Sequence, residues 1–309
     1  MSWLIDPFSA AFVLRALVGG VLVAAICAVV GTWVVIRGMA FLGEALGHGM
    51  LPGVAVATVV GLPPMAGAAV SATAMAGAIG ILQRRGRLSF DTSIGLLFVS
   101  MLSLGVIVVS HSRTFATDAT AMLFGDILAV EAADLVVLAV ALAVTLVAAA
   151  AFHRSFVAAA FDRRIAATLG LRPGLSHVVL VGLVTLAVVS AYQAVGTLLV
   201  VGLLLAPAVA ARPWAPRIPA TMALAALLGA LAVAAGLVLS WHAGTAAGAS
   251  IAGAAVLLAA LSGILRAAIH ALRARRPDAS GDELMTKAPE PRGDTVAKAL
   301  PLSADASRA

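Results

Sequence analysis

The chain reads as a succession of long apolar runs separated by short polar or charged breaks. The runs fall at about 11–36, 39–60, 63–83, 90–110, 131–152, 175–192, 195–211, 216–238 and 244–268. A helix that crosses a bilayer needs about 20 apolar residues at about 1.5 Å each, and most of the runs are that long. Two charge-free stretches, 45–83 and 173–211, are too long for a single crossing. The first must double back at Pro63-Pro64, where the chain loses backbone donors, and the second between Gln193 and Gly196. The pattern predicts an all-α, polytopic transmembrane helical bundle of nine spans, or eight if 195–211 does not cross.

Composition strengthens this reading. Hydrophobic residues make up 62% of the 309 positions and charged residues only 11%, against about 25% charged in an ordinary soluble domain. The charges are also unevenly placed. With the N-terminus outside and the C-terminus inside, every Lys and Arg except Arg15 and Arg113 falls in a cytoplasmic loop or after residue 265. Asp6, Asp118, Asp126, Glu131 and Asp134 fall on the other side. Basic residues gather in the cytoplasmic loops of membrane proteins, so the net charge of +6 marks orientation and not a nucleic-acid partner. Trp3, Trp33, Trp214 and Trp241 lie near span ends, where an amphipathic ring suits the interface.

Met1 to Phe8 carries Asp6 and no basic segment, so the first span is expected to act as its own insertion signal. Cys27 is the sole cysteine and excludes an internal disulfide. The segment 111–130 is too polar to span and is expected to lie against the outer surface. From Pro277 onward few large apolar residues remain, too few to offset the entropy of ordering. The expected division is a transmembrane domain at 1–270 and a disordered cytoplasmic tail at 271–309.

The second span carries the most informative chemistry. Glu44 and His48 are four apart, which places them on one helix face within reach of each other. An acid inside a membrane span is costly and by default faces a pathway or a partner. Carboxylate and imidazole are also natural ligands for zinc or manganese. The alternative is a Glu–His hydrogen bond that only locks helices together, and spacing alone leaves both open. A zinc-protease HExxH order is missing. Gly38, Gly43, Gly47, Gly49 and Gly53 surround the pair and would permit close helix approach. Pro52 removes a backbone donor just past His48.

A second segment, Phe161 to Pro173, predicts a short amphipathic helix in a cytoplasmic loop. Asp162 is a natural N-cap, and Gly170 with Pro173 ends the helix. Arg163 and Arg164 give it a basic flank suited to docking, although a solvated basic loop would have the same composition.

Glu44-Ala-Leu-Gly-His48-Gly-Met-Leu-Pro52-Gly53 resembles the acid-x-x-x-His-x-x-x-Pro-Gly signature of the zinc/manganese ABC transporter permeases. Asp91-Thr92-Ser93-Ile94-Gly95 looks like that family's D-T-x-I-G, and Leu123-Phe124-Gly125-Asp126-Ile127-Leu128 like its L-F-G-x-x-L. Phe161-Asp162 through Leu169-Gly170-Leu171 is similar to its coupling loop. Gln193 to Leu199 with Pro207 and Arg212 resembles the block before the last helices. The resemblance covers about residues 11–268.

It implies a homodimeric, multi-pass permease of the bacterial inner membrane, surrounded by lipid. A periplasmic metal-binding protein would supply it, and a cytoplasmic ATP-binding cassette subunit would drive it. Glu44 and His48 would be the metal ligands, and Asp162, Arg163, Arg164, Leu169 and Gly170 would belong to the ATPase-coupling loop. The family commonly has Asp where this chain has Glu44, whose carboxylate reaches one carbon further. No cofactor is expected to be bound permanently. The cargo is expected to be a divalent metal, with zinc first by affinity order, then manganese or iron. No GxxxxGK[ST] pattern occurs, so the chain is expected to be a transport subunit and not an enzyme. An ion-coupled secondary transporter, a siderophore- or cobalamin-type ABC permease and an intramembrane enzyme are the competing readings.

Overall fold

The computed structural model of the chain describes residues 6–84, 89–110 and 125–274. Its first long apolar run forms α1, Ala11–Ile36, which is apolar on every face, the pattern of a helix enclosed by others. α6 (Ala132–Ala151), α9 (Pro173–Ala211) and α10 (Ile218–Ala243) pack around it. The remaining helices are α2 (Ala40–Gly49), α3 (Leu51–Val60), α4 (Pro64–Arg84), α5 (Phe90–Ser110), α7 (His153–Phe161), α8 (Arg163–Thr168) and α11 (Ala247–Ala274). No strand occurs among the described residues. Residues up to Arg266 form one packed unit; from Ala267 onward the chain forms a second, whose described part is the end of α11.

Among the described residues, eight helical segments are long and apolar enough to cross a membrane. A ninth, Leu199–Ala211, is apolar but shorter. It is the second arm of α9, whose backbone leaves helical geometry at Gly196 (φ 72°, ψ 165°). In a straight helix Ser176 and Arg212 would stand about 50 Å apart. Instead both reach the same end of α1. Arg37 donates to Ser176 Oγ at 3.1 Å, and Ile36 and Arg212 line one small cleft. The second arm then runs alongside α1, with Gly31 against the Leu204 carbonyl. The reversal expected between Gln193 and Gly196 therefore occurs at Gly196.

The first long stretch turns at Gly61-Leu62-Pro63, and its first half divides into two helices. The predicted span 39–60 is found as one crossing segment, Ala40–Val60. Pro52, however, lacks the N–H that would bond the His48 carbonyl, and the helical bonding is interrupted at Met50 between α2 and α3. Ser71 of α4 donates to the Gly49 carbonyl at 2.7 Å, which ties the break in place.

One expectation is corrected. Trp33 does not sit at an interface, because it is fully buried. Its ring stands edge-on to Phe156 and His153, with centroids 5.2 and 5.6 Å away. The loop helix α7 folds back over the end of α1 and encloses it. Trp214 and Trp241 remain exposed. Of the segment 111–130, the part from Gly125 packs on α1 through Ile127 and Val130. Residues 111–124 lie outside the described residues, as does the tail expected from Pro277.

Candidate functional site

On α2 the side chains divide by helical period. Leu42, Ala45, Leu46 and Gly49 are buried, and Gly43 abuts Leu204 of the second arm of α9. The opposite stripe, Phe41, Glu44 and His48, turns away from the core. His48 Nε2 stands 3.3 Å from Glu44 Oε1, and the side chains are 21% and 45% exposed respectively. The sequence-predicted pair is therefore brought together on one face. Phe98 of α5 stands edge-on to the His48 ring at 5.4 Å and fixes its plane. The other ring nitrogen, Nδ1, is shielded and has no hydrogen-bond partner among the described residues.

Glu44, though not His48, lines a cleft of about 560 Å³ with Phe41, Asp91, Ile94, Phe98 and Leu205 among its other walls. Asp91 lies in the first turn of α5. In the sequence it stands within Asp91-Thr92-Ser93-Ile94-Gly95, with no sign of a role of its own. An acid one residue into a helix reads as a favourable end charge, and nothing local signals that Glu44 shares its cleft. Among the described residues, no group of three or more His, Cys, Asp or Glu could hold a metal ion. At this face the described part of one chain brings together two candidate ligands, Glu44 and His48.

The segment after α7 folds as its sequence predicts. Asp162 Oδ1 accepts from the Arg164 amide at 2.6 Å and caps α8. Gly170, in the left-handed conformation, closes the helix, with its amide donating to Ala167 O and that of Leu171 to Ala166 O. Ala166 is buried, whereas Phe161, Ile165 and Leu169 are exposed. Phe161 is exposed to 86%. Three large apolar side chains so displayed on a nine-residue stretch form an unpartnered contact surface. This segment and the Glu44–His48 pair lie on separate elements and do not meet in one site.

The model of the ABC 3 transport family matches residues 9–266, nearly all of the described chain. The chain belongs to the ABC 3 transport family. It is thus a multi-pass protein of the cell membrane, as its apolar helices require. This family member is 35% identical over 244 residues to the manganese transport system membrane protein MntC of Halalkalibacterium halodurans, covering 79% of this chain and 83% of that one. It is 30% identical over 237 residues to the chelated iron transport system membrane protein YfeD of Yersinia pestis, covering 77% and 80%. Among solved structures it resembles PsaBC from Streptococcus pneumoniae in complex with Fab. That match has a TM-score of 0.75 at 32% identity and covers 84% of this chain and 94% of that one.

Proposed function

We propose that this chain is the permease subunit of an ABC importer for a divalent transition metal, with Glu44 and His48 as its intramembrane ligands. The observation that carries the reading is the pair itself: a carboxylate and an imidazole 3.3 Å apart on an open face of a membrane helix. Burying a charged side chain at mid-bilayer costs about 3 kcal/mol or more, so such a face needs a partner or a cargo.

A second copy of the chain supplies both. Two ligands are too few for zinc, manganese or iron, which take four or more. Two copies facing each other across α2 and α5 would provide two carboxylates and two imidazoles. They would also cover Phe41, Leu96 and Val99, which are exposed on this side. The end of the bundle holding Arg37, the α7–α8 segment and Arg212 carries the basic loops and is assigned to the cytoplasm. The exposed Phe161, Ile165 and Leu169 then face the cytoplasm, where the ATPase subunit docks. A binding protein delivers the ion to the other side.

The sequence ranking of zinc first rests on affinity order alone. The relatives named for manganese and iron systems favour manganese, with iron(II) and zinc next. Soft thiolate ligands are missing from the pair, which disfavours copper(I). The test is uptake of manganese(II), iron(II) and zinc(II) by cells with and without the gene. Glu44→Gln and His48→Ala should abolish uptake of the transported ion while the protein still inserts. Normal uptake in both variants would remove the metal-site assignment.

A further inference from the structure

Below the Glu44 cleft lies a second cleft of about 570 Å³. It is lined by Arg37, Gln83, Phe90, Asp91 and His177, and by Ala159 and Ala160 of α7. The two clefts have one residue in common, Asp91. The first is apolar apart from its two carboxylates, with Ile94, Phe98, Val201 and Leu205 on its walls. The second is polar.

We propose that Asp91 is a relay ligand, the carboxylate that takes the divalent ion from Glu44 and His48 and passes it to the second cleft. This rests on the metal-import reading above and extends it to the release route.

The helix order supports the direction. α2 and α5 both begin at the Arg37 end and run side by side, so Ala45 lies near Ile94 and His48 meets Phe98. Asp91, in the first turn of α5, is therefore nearer that end than Glu44. An ion leaving Glu44 through the first cleft meets no other anionic side chain among that cleft's lining residues. Carboxylate oxygen suits manganese(II) and iron(II).

The second cleft is built for passage and not for storage. Arg37 lies on its wall and is held there: it donates to Ser176 Oγ at 3.1 Å and to Phe156 O at 3.4 Å. Its guanidinium also lies 5.7 Å from the centre of the Phe156 ring. A fixed cation opposes a long stay by a dication beside it. α7 borders this cleft and leads directly into the α8 segment assigned to ATPase docking. The release port and the drive point are thus adjacent along the chain.

The test uses the full transporter, reconstituted in liposomes with its ATPase and binding protein, and manganese(II) as the probe. Asp91→Asn should leave equilibrium manganese binding by the permease unchanged and lower the maximal uptake rate at least about tenfold, with KM preserved. Asp91→Glu should restore most of the rate, which a role in shape or helix capping alone would not give. If Asp91→Asn does not assemble, Asp91→Ser, which keeps an oxygen at the helix start, makes the same comparison. Wild-type uptake in Asp91→Asn overturns the relay. Loss of manganese binding in that variant also overturns it, because Asp91 would then belong to the primary site. Glu44→Gln and His48→Ala serve as the reference: each should lose binding itself. If both bind and transport normally, the metal-import reading fails and the relay falls with it.

Discussion

Gly53 of α3 and Gly67 of α4 meet backbone to backbone, so that a methyl carbon on either would strike the carbonyl oxygen of the other. This contact holds α4 against the break that follows His48. Gly53→Val or Gly67→Val should therefore destabilise the bundle by about 1–3 kcal/mol or more, the usual cost of overpacking. Thermal melting of the purified protein in detergent measures it. Gly77→Ala is the control, because the space beside Gly77 is open and alanine is the better helix former. Equal melting temperatures for Gly67→Val and Gly77→Ala would contradict the packing.

The corner at Gly196 makes a second demand. Its φ of 72° and ψ of 165° fall in a region that is essentially open to glycine alone. Gly125 packs on this corner so closely that a methyl carbon added to Gly125 would strike the Gly196 backbone. Gly196→Ala should cost about 1–3 kcal/mol and lower the yield of folded protein, as read by size-exclusion profile. Gly182→Ala, in the first arm and facing open space, should leave the profile unchanged.

Removing one ligand of the proposed pair should be nearly as severe as removing both. Changes to groups that merely support a metal ligand cost about 10–100-fold, so Glu44→Ala or His48→Ala should reduce manganese uptake by at least that factor. Glu44→Asp, which shortens the reach by one carbon, should retain part of the activity. Radiolabelled manganese uptake in whole cells separates the three variants. Equal activity for Glu44→Ala and Glu44→Asp would argue against a carboxylate ligand.

The α8 segment is expected to transmit the work of ATP hydrolysis. Arg164→Glu reverses an exposed charge, and Gly170→Pro removes the amide that closes the helix onto Ala167. Each should uncouple hydrolysis from transport, leaving ATPase activity present and metal uptake low. Leu169→Cys, exposed in the structure, should crosslink to the ATPase subunit. Crosslinking to the binding protein instead would place this loop on the opposite side of the membrane.

The ranking of metals is open to direct competition. Nitrogen–oxygen sites bind zinc more tightly than manganese or iron(II), so excess zinc should inhibit manganese uptake whether or not zinc itself crosses. Cells starved of manganese and cells starved of zinc should be compared for growth rescue by this gene. Rescue confined to zinc starvation would reverse the order proposed here without affecting the family.

The amino-acid sequence by itself determined the helices, the reversal near Gly196, the Asp162 cap and the shared face of Glu44 and His48. All of these follow from interactions within a few residues: apolar run length, helix period, missing donors at proline, and a side chain reaching its own backbone. Only the tertiary structure decided what those elements meet. Trp33 has the sequence position of an interfacial ring, yet α7, more than a hundred residues later in the chain, covers it. Asp91 has the sequence position of a helix-end charge, yet the packing of α2 on α5 gives it a cleft in common with Glu44. The physical reason is that apolar spans look alike on every face, so hydropathy fixes that a helix crosses but not which neighbour it faces. That choice is made by local shape, such as Gly31 admitting the Leu204 carbonyl, and becomes visible only once the helices are packed.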